Sequence, residues 1–183
     1  MGHRTAIQVR TYGTSGPLVV ALHGGPGMAG YLAPMALELS DSFRVLESFQ
    51  RGSDNEPITL AGHIADLHEV VRSQAKGSLP ALVGHSWGAM LALAYAAAHP
   101  RSIGSLVLIG CGTFEASARG RLNTTLEERT DGMLRKRIER LAEKYPDPNE
   151  RIRAFGKVTL HLYNYDSSSS EPEINSYEAR ANQ

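Results

Sequence analysis

Leu18-Val19-Val20-Ala21-Leu22 is apolar at every position, entered from Gly16-Pro17 and closed by His23-Gly24-Gly25-Pro26-Gly27. A run this short, without polar alternation and ended by glycines, predicts a strand buried on both faces. Ala81-Leu82-Val83 and Leu106–Ile109 repeat the pattern, each closed by glycine-containing turns, and Phe43–Phe49 predicts another strand running into Gln50-Arg51-Gly52-Ser53. Ile7–Tyr12 alternates weakly and is expected to pair beside Leu18–Leu22 as an outer strand. Helical spacing separates these runs. Leu60, Ile64, Leu67 and Val71 recur on one face after Thr59, a residue suited to an N-cap. Trp87–Ala97 is rich in Ala and Leu, which favours helix on propensity, and His99-Pro100 stops it. Strand, helix, strand, helix, strand with short connections implies parallel pairing through right-handed crossovers.

After Thr113 the pattern turns polar. Leu126–Tyr145 predicts one charged helix with Met133, Leu134, Ile138 and Leu141 on one side, and Arg151–Tyr165 predicts another. Ser167–Ser170, between Asp166 and Glu171-Pro172, predicts a loop. The expected organisation is an α/β core over residues 1–113 and a helical appendage over 114–183. A chain of 183 residues suits that size.

Composition then removes several function classes. Nineteen Lys+Arg balance nineteen Asp+Glu, so the electrostatic excess that nucleic-acid or anionic-membrane binding relies on is missing. The longest apolar run, Met90–Ala98, falls far short of the ~20 residues that cross a bilayer. A single cysteine, Cys111, cannot close an internal disulfide, which fits a reducing, cytoplasmic setting. No cluster of Cys and His has metal-ligand spacing, and neither metal nor organic cofactor is expected. Arg135, Lys136, Arg137 and Arg140, interleaved with acids, predict a solvated face.

Chemistry concentrates at two glycine-rich turns. Gly84-His85-Ser86-Trp87-Gly88 is a Gly-x-Ser-x-Gly turn placed after a buried strand and before a helix. In that context the serine sits on a tight, strained bend with its hydroxyl lifted above the sheet, and the glycines avoid collision with neighbouring elements. Ser86 is therefore the candidate nucleophile. His23-Gly24-Gly25-Pro26-Gly27 exposes backbone N–H groups unshielded by side chains. Beside the bend it would supply half of an oxyanion hole, with Gly25 the expected donor, Gly24 the fallback, and the Trp87 N–H the other half. A structural turn or a phosphate loop is the competing reading, but neither GxGxxG nor GxxxxGK[ST] spacing is present. His23, Gly24 and Trp87 are expected to border a small-molecule or short-peptide substrate.

The combination of HGGPG, QRGS and GHSWGAM resembles the α/β-hydrolase superfamily, and within it the proline iminopeptidase group. The resemblance covers roughly residues 5–165. It implies a mostly parallel sheet with helices on both faces, a helical cap beginning after Thr113, and a serine hydrolase acting on a peptide, amide or ester bond. In the resembled enzymes the QRGS segment usually reads Asp-Gln-Arg-Gly-x-Gly-x-Ser; here Phe49 replaces the aspartate and Asp54 follows Ser53 where glycine is common.

Such enzymes order their machinery as nucleophile, acid, histidine. The acid and histidine the resemblance implies have no counterpart before Gln183, so the expectation is a C-terminally truncated hydrolase or a fragment, nearly inert alone. Losing the histidine costs on the order of 10⁴- to 10⁶-fold in turnover. His161 is the one histidine beyond the fourth buried strand that could stand in. With no strand following Leu106–Ile109, that run is expected to form an exposed sheet edge, a liability for self-association. The alternatives are an esterase of the same fold and a non-catalytic, hydrolase-like binding protein.

Overall fold

The computed structural model describes residues 7–25, 28–51, 58–163 and, for the backbone, 176–177. Gly52, Ser53 and Asp54, the Ser167–Ser170 loop, Asp166 and Glu171 lie outside the described residues, as do Pro26 and Gly27. The chain divides into two compact units, the first mainly Met1–Gly112 and the second mainly Thr113–Glu173.

In the first unit, β1 (Val9–Tyr12), β2 (Leu18–Leu22), β4 (Arg44–Ser48), β5 (Ala81–His85) and β6 (Ser105–Ile109) form one sheet in the order β1-β4-β2-β5-β6. β3 (Met28–Ala29) is a two-residue strand outside it. The inner pairs are parallel, with Val20 opposite Leu46 on one side and Leu82 on the other. β1 corrects an expectation. It pairs antiparallel with β4, Val9 opposite Ser48 and Tyr12 opposite Val45, and not with β2. Both edges of β2 are already taken by parallel neighbours, so the outer strand adds beyond β4. On β4 the Glu47 carboxylate is fully buried; Tyr12 donates its hydroxyl to Oε2 at 2.8 Å, and Arg10 Nη1 stands 3.7 Å away.

Pleating divides β2 between two cores. Leu18, Val20 and Leu22 pack with Leu82 against Leu67, Val70 and Val71 of α2 (Leu60–Gln74) and Leu91, Ala92 and Tyr95 of α3 (Trp87–Ala98). Val19 and Ala21 pack with Val45 and Val83 against Ala36 of α1 (Ala33–Leu39) on the opposite face. The all-apolar strand is thus covered on both faces, as its composition demands.

Thr59 caps α2 as expected, its extended backbone letting Oγ1 accept the Gly62 N–H at 3.0 Å. The buried stripe of α2 is rotated from the expected one, however. His63, Asp66, Leu67, Val70 and Val71 face inward, while Leu60 is exposed. Two polar residues replace apolar ones on the core face because each has a specific partner there: Asp66 holds the guanidinium of Arg51, and the His63 ring packs edge-on against Trp87.

β6 is an edge strand among the described residues, and Val107, Leu108 and Ile109 are all exposed. Cys111 beyond it is half-buried.

The second unit is helical: α4 (Ala116–Arg129), α5 (Gly132–Glu139), α6 (Leu141–Lys144) and α7 (Pro148–Tyr163). The single helix expected over Leu126–Tyr145 is instead broken twice. Thr130 is extended, and Asp131 starts α5 by accepting the Leu134 N–H at 2.7 Å. A second break at Arg140 separates α5 from α6. The Asp131 cap offers the backbone a better terminus than continued helix. Leu134, Leu141, Ala154 and Leu162 form the buried side of this unit.

Two glycine substitutions should separate tight packing from open helix surface. A Cβ on Gly88 would strike Leu22 O and come within 2.7 Å of His23 O, both backbone atoms that cannot swing away. Gly88→Ala should cost about 3 kcal/mol or more, the upper range for overpacking. At Gly120, in α4, a Cβ would meet nothing within 4 Å, so Gly120→Ala should stabilise the second unit by about 1 kcal/mol. Urea denaturation of both variants checks the pair.

Candidate active site

Ser86 stands between β5 and α3 with φ 53° and ψ −115°, one of two non-glycine residues with positive φ among those described. The conformation is strained for an L-residue. Packing enforces it. A Cβ on Gly84 would collide with Gly88 O and approach Ala89 Cα to 2.6 Å, and one on Gly88 would collide with β2. Strand, bend and helix are pressed together so closely that only glycine fits two residues to either side of the serine. The Ser86 N–H donates to Ile109 O at 2.9 Å, and its carbonyl accepts the Ala89 N–H at 3.1 Å, which ties the bend to β6 and to the first turn of α3. The residue is half-buried, and among the described residues its hydroxyl has no hydrogen-bond partner.

The glycine loop lies against this bend. A Cβ on Gly24 would be 2.9 Å from Ser86 Cβ. Gly25 has φ 42°, and its carbonyl accepts the Met28 N–H at 2.8 Å. The Gly24 N–H is already engaged, donating to Tyr31 Oη at 2.6 Å, so Gly24 is not free to serve as the alternative oxyanion donor. The Gly25 N–H has no acceptor among the described residues, and the Trp87 N–H, first in α3, has none within its helix.

Gln50 joins the two sides. Its Nε2 donates to His23 O at 2.7 Å, its Oε1 accepts the Trp87 indole N–H at 2.7 Å, and its backbone N–H donates to His23 Nε2 at 3.1 Å. These partners fix the amide orientation, because an indole N–H only donates and a carbonyl only accepts. They also fix the His23 tautomer. Nε2 must be unprotonated, leaving Nδ1–H to donate to Gly24 O at 3.1 Å. The ring is fully buried with both nitrogens engaged, so His23 braces the loop. Burial pushes the His23 pKa down from 6.5 to about 4, and burial lowers His63 and His85 as well.

Tyr31, not anticipated from sequence, sits at the centre of the site. Its hydroxyl meets both the Gly24 N–H and Nδ1 of His85, and its ring stands edge-on to His85 with centroids 5.5 Å apart. The sequence signal for it is weak, a lone tyrosine four residues after the end of the glycine turn. His161 lies exposed on α7 of the second unit. Among the described residues no group of three or more His, Cys, Asp and Glu could hold a metal ion, and no helix is long and apolar enough to cross a membrane.

The alpha/beta hydrolase fold family matches residues 17–182, and the chain belongs to that family. It is 33% identical over 111 residues to the 2-(acetamidomethylene)succinate hydrolase of Mesorhizobium japonicum, a match covering 58% of this chain and 39% of that protein. It is 37% identical over 120 residues to a 2-hydroxy-6-oxononadienedioate/2-hydroxy-6-oxononatrienedioate hydrolase of Pseudomonas putida, covering 57% and 40% respectively. A crystal structure of E-2-(acetamidomethylene)succinate hydrolase superposes with a TM-score of 0.58 at 26% identity, over 96% of this chain and 66% of that one. The matches to the curated relatives span about two-fifths of each relative's length.

Two measurements test the geometry. With His23 held neutral in the fold but ionising near 6.5 when unfolded, the unfolded chain takes up the proton first as pH falls. Stability from this group is whole above pH 6.5, declines from there to about pH 4, and amounts to roughly 3 kcal/mol. Urea midpoints measured from pH 7 to 4 should follow that slope, and His63 and His85 add to it in the same direction. Second, Ser86→Gly should raise stability by about 1 kcal/mol, since glycine adopts positive φ freely. A loss of stability in that variant would show that the bend carries no strain.

Proposed function

We propose that this chain carries the nucleophile and oxyanion half of an α/β-fold serine hydrolase, with Ser86 attacking a carbonyl carbon. The observation that supports the reading is the strained, half-exposed Ser86 at the start of α3, beside a glycine loop whose Gly25 N–H has no acceptor among the described residues. As the Ser86 oxygen bonds to the carbonyl carbon, the carbonyl π electrons move to its oxygen. The Gly25 and Trp87 N–H groups, with the positive N-terminus of α3 behind them, would hold that oxyanion. The hydroxyl proton leaves to a base, and the resemblance implies a histidine oriented by an acid for that role.

The relatives' names support a hydrolase of carbonyl compounds. The finer reading, a proline iminopeptidase-like aminopeptidase, rests on the pairing of HGGPG with GHSWGAM. The fold's other reading, an esterase, is separated from it by substrate: proline 4-nitroanilide against p-nitrophenyl acetate.

The direct test is a fluorophosphonate probe followed by peptide mass spectrometry. The expected result is an adduct on Ser86, absent from Ser86→Ala. Labelling spread over other serines, or none at all after prolonged exposure, would leave the non-catalytic binding protein as the better account.

A further inference from the structure

The hydroxyl of Tyr31 lies between two groups that flank the candidate nucleophile. On one side the Gly24 N–H donates to it at 2.6 Å; on the other it meets Nδ1 of His85, the residue immediately before Ser86. A side chain built on Gly24 would lie 2.7 Å from Tyr31 Oη, 2.9 Å from Ser86 Cβ and 3.1 Å from His85 Nδ1, so the three groups converge on one point of the glycine loop. Tyr31 itself is anchored by packing against the core of Val19, Ala21, Leu32, Ala36, Val45 and Val83.

We propose that Tyr31 is a positioning residue, which pins the glycine loop against Ser86 and locks His85 with its proton on Nε2. Counting donors and acceptors places the protons. A phenol has one proton to give, and the Gly24 amide can only donate. Among the described residues Tyr31 Oη has these two partners, so its proton goes to His85 Nδ1, which must then be bare. Two consequences follow. The Gly24 amide is withdrawn from the oxyanion position, leaving the Gly25 amide as the donor on that loop. The protonated Nε2 of His85 is held beside Gly110 at the carboxyl end of the sheet, 3.7 Å from where a Gly110 side chain would begin. Open α/β sheets bind ligands at that end. His85 thereby becomes a fixed donor there, not a base. Burial supports the arrangement, since it keeps Tyr31 protonated, with its pKa raised to about 12, and disfavours a second proton on His85.

The oxyanion part of this inference rests on the hydrolase reading; the tautomer part does not. The test uses the full chain labelled with ¹⁵N and observes the His85 ring by long-range ¹H–¹⁵N correlation at pH 7. The expected spectrum shows Nδ1 unprotonated and Nε2 protonated. Tyr31→Phe, which keeps the ring packing, should shift His85 to a tautomer mixture, raise its pKa, and lose the exchange protection of the Gly24 amide. A wild-type His85 protonated at Nδ1, or a His85 spectrum unmoved in a folded Tyr31→Phe, would overturn the proposal, and the wild-type measurement decides even where the variant does not fold. Phosphonate labelling of Ser86 is then compared in the two proteins, and an expected fall of about tenfold in Tyr31→Phe reads the loop's contribution. If wild-type Ser86 is not labelled while the tautomer is as stated, the hydrolase reading fails and the lock stands. If wild-type Ser86 labels and the variant labels equally fast, the loop-positioning role fails.

Discussion

The contact between the backbone of Gly88 and the end of β2 governs the site. α3 begins so close to Leu22 and His23 that no side chain fits at Gly88, and the same crowding empties position 84. With strand and helix clamped this tightly, one residue must turn the chain between them, and it does so at φ 53°. The strain at Ser86 is imposed by the apposition of two rigid elements, not by the serine. What the fold gains is a hydroxyl lifted off the sheet at the N-terminus of a helix, where backbone N–H groups point outward. The all-apolar cores on both faces of β2 supply the stability that offsets such a bend.

A second constraint keeps the two donor groups in register. The glycine loop follows β2, and the Trp87 amide begins α3, so their spacing depends on elements far apart in sequence. Gln50, at the end of β4, reaches both: one end of its amide holds the His23 carbonyl and the other the Trp87 indole. A glutamine suits this post because it offers a donor and an acceptor about two ångströms apart on a rigid plane. His23 completes the brace only while neutral, because its Nε2 must accept from Gln50. Burial secures that state, so the geometry of the loop and the ionisation of its histidine are one constraint.

Much of this could be read from the chain. Runs such as Leu18–Leu22 admit few environments, and Thr59 and Pro100 mark helix ends by chemistry that acts locally. The two glycine turns were legible for the same reason, since severe local crowding explains glycine at both positions 84 and 88. What was hidden depends on tertiary partners. α1 starts from Leu32 without a side-chain cap and spans seven residues, too short for a periodic signal. The inward turn of His63 and Asp66 follows from Arg51 and Trp87, which sequence spacing does not place nearby. The partner of β1 depended on which edge of β2 remained open. Tyr31 was invisible because its meaning lies entirely in contacts with residues 24 and 85.

Among the described residues, the named groups that frame Ser86 are uncharged near neutrality. Burial holds the His23 pKa near 4, lowers that of His85, and lifts that of Tyr31 to about 12; glycine amides, the Gln50 side chain and the indole do not ionise. Arg51 lies nearby in sequence, but Asp66 pairs with its guanidinium. On the proposed reading, negative charge forming on a substrate oxygen would face the fixed dipoles of these amides, and dipoles of this kind act most strongly where water is excluded. The same neutrality bears on pH. Between about 7 and 10 none of these named groups changes its proton, so His23, His85 and Tyr31 contribute nothing to a rate that varies across that range.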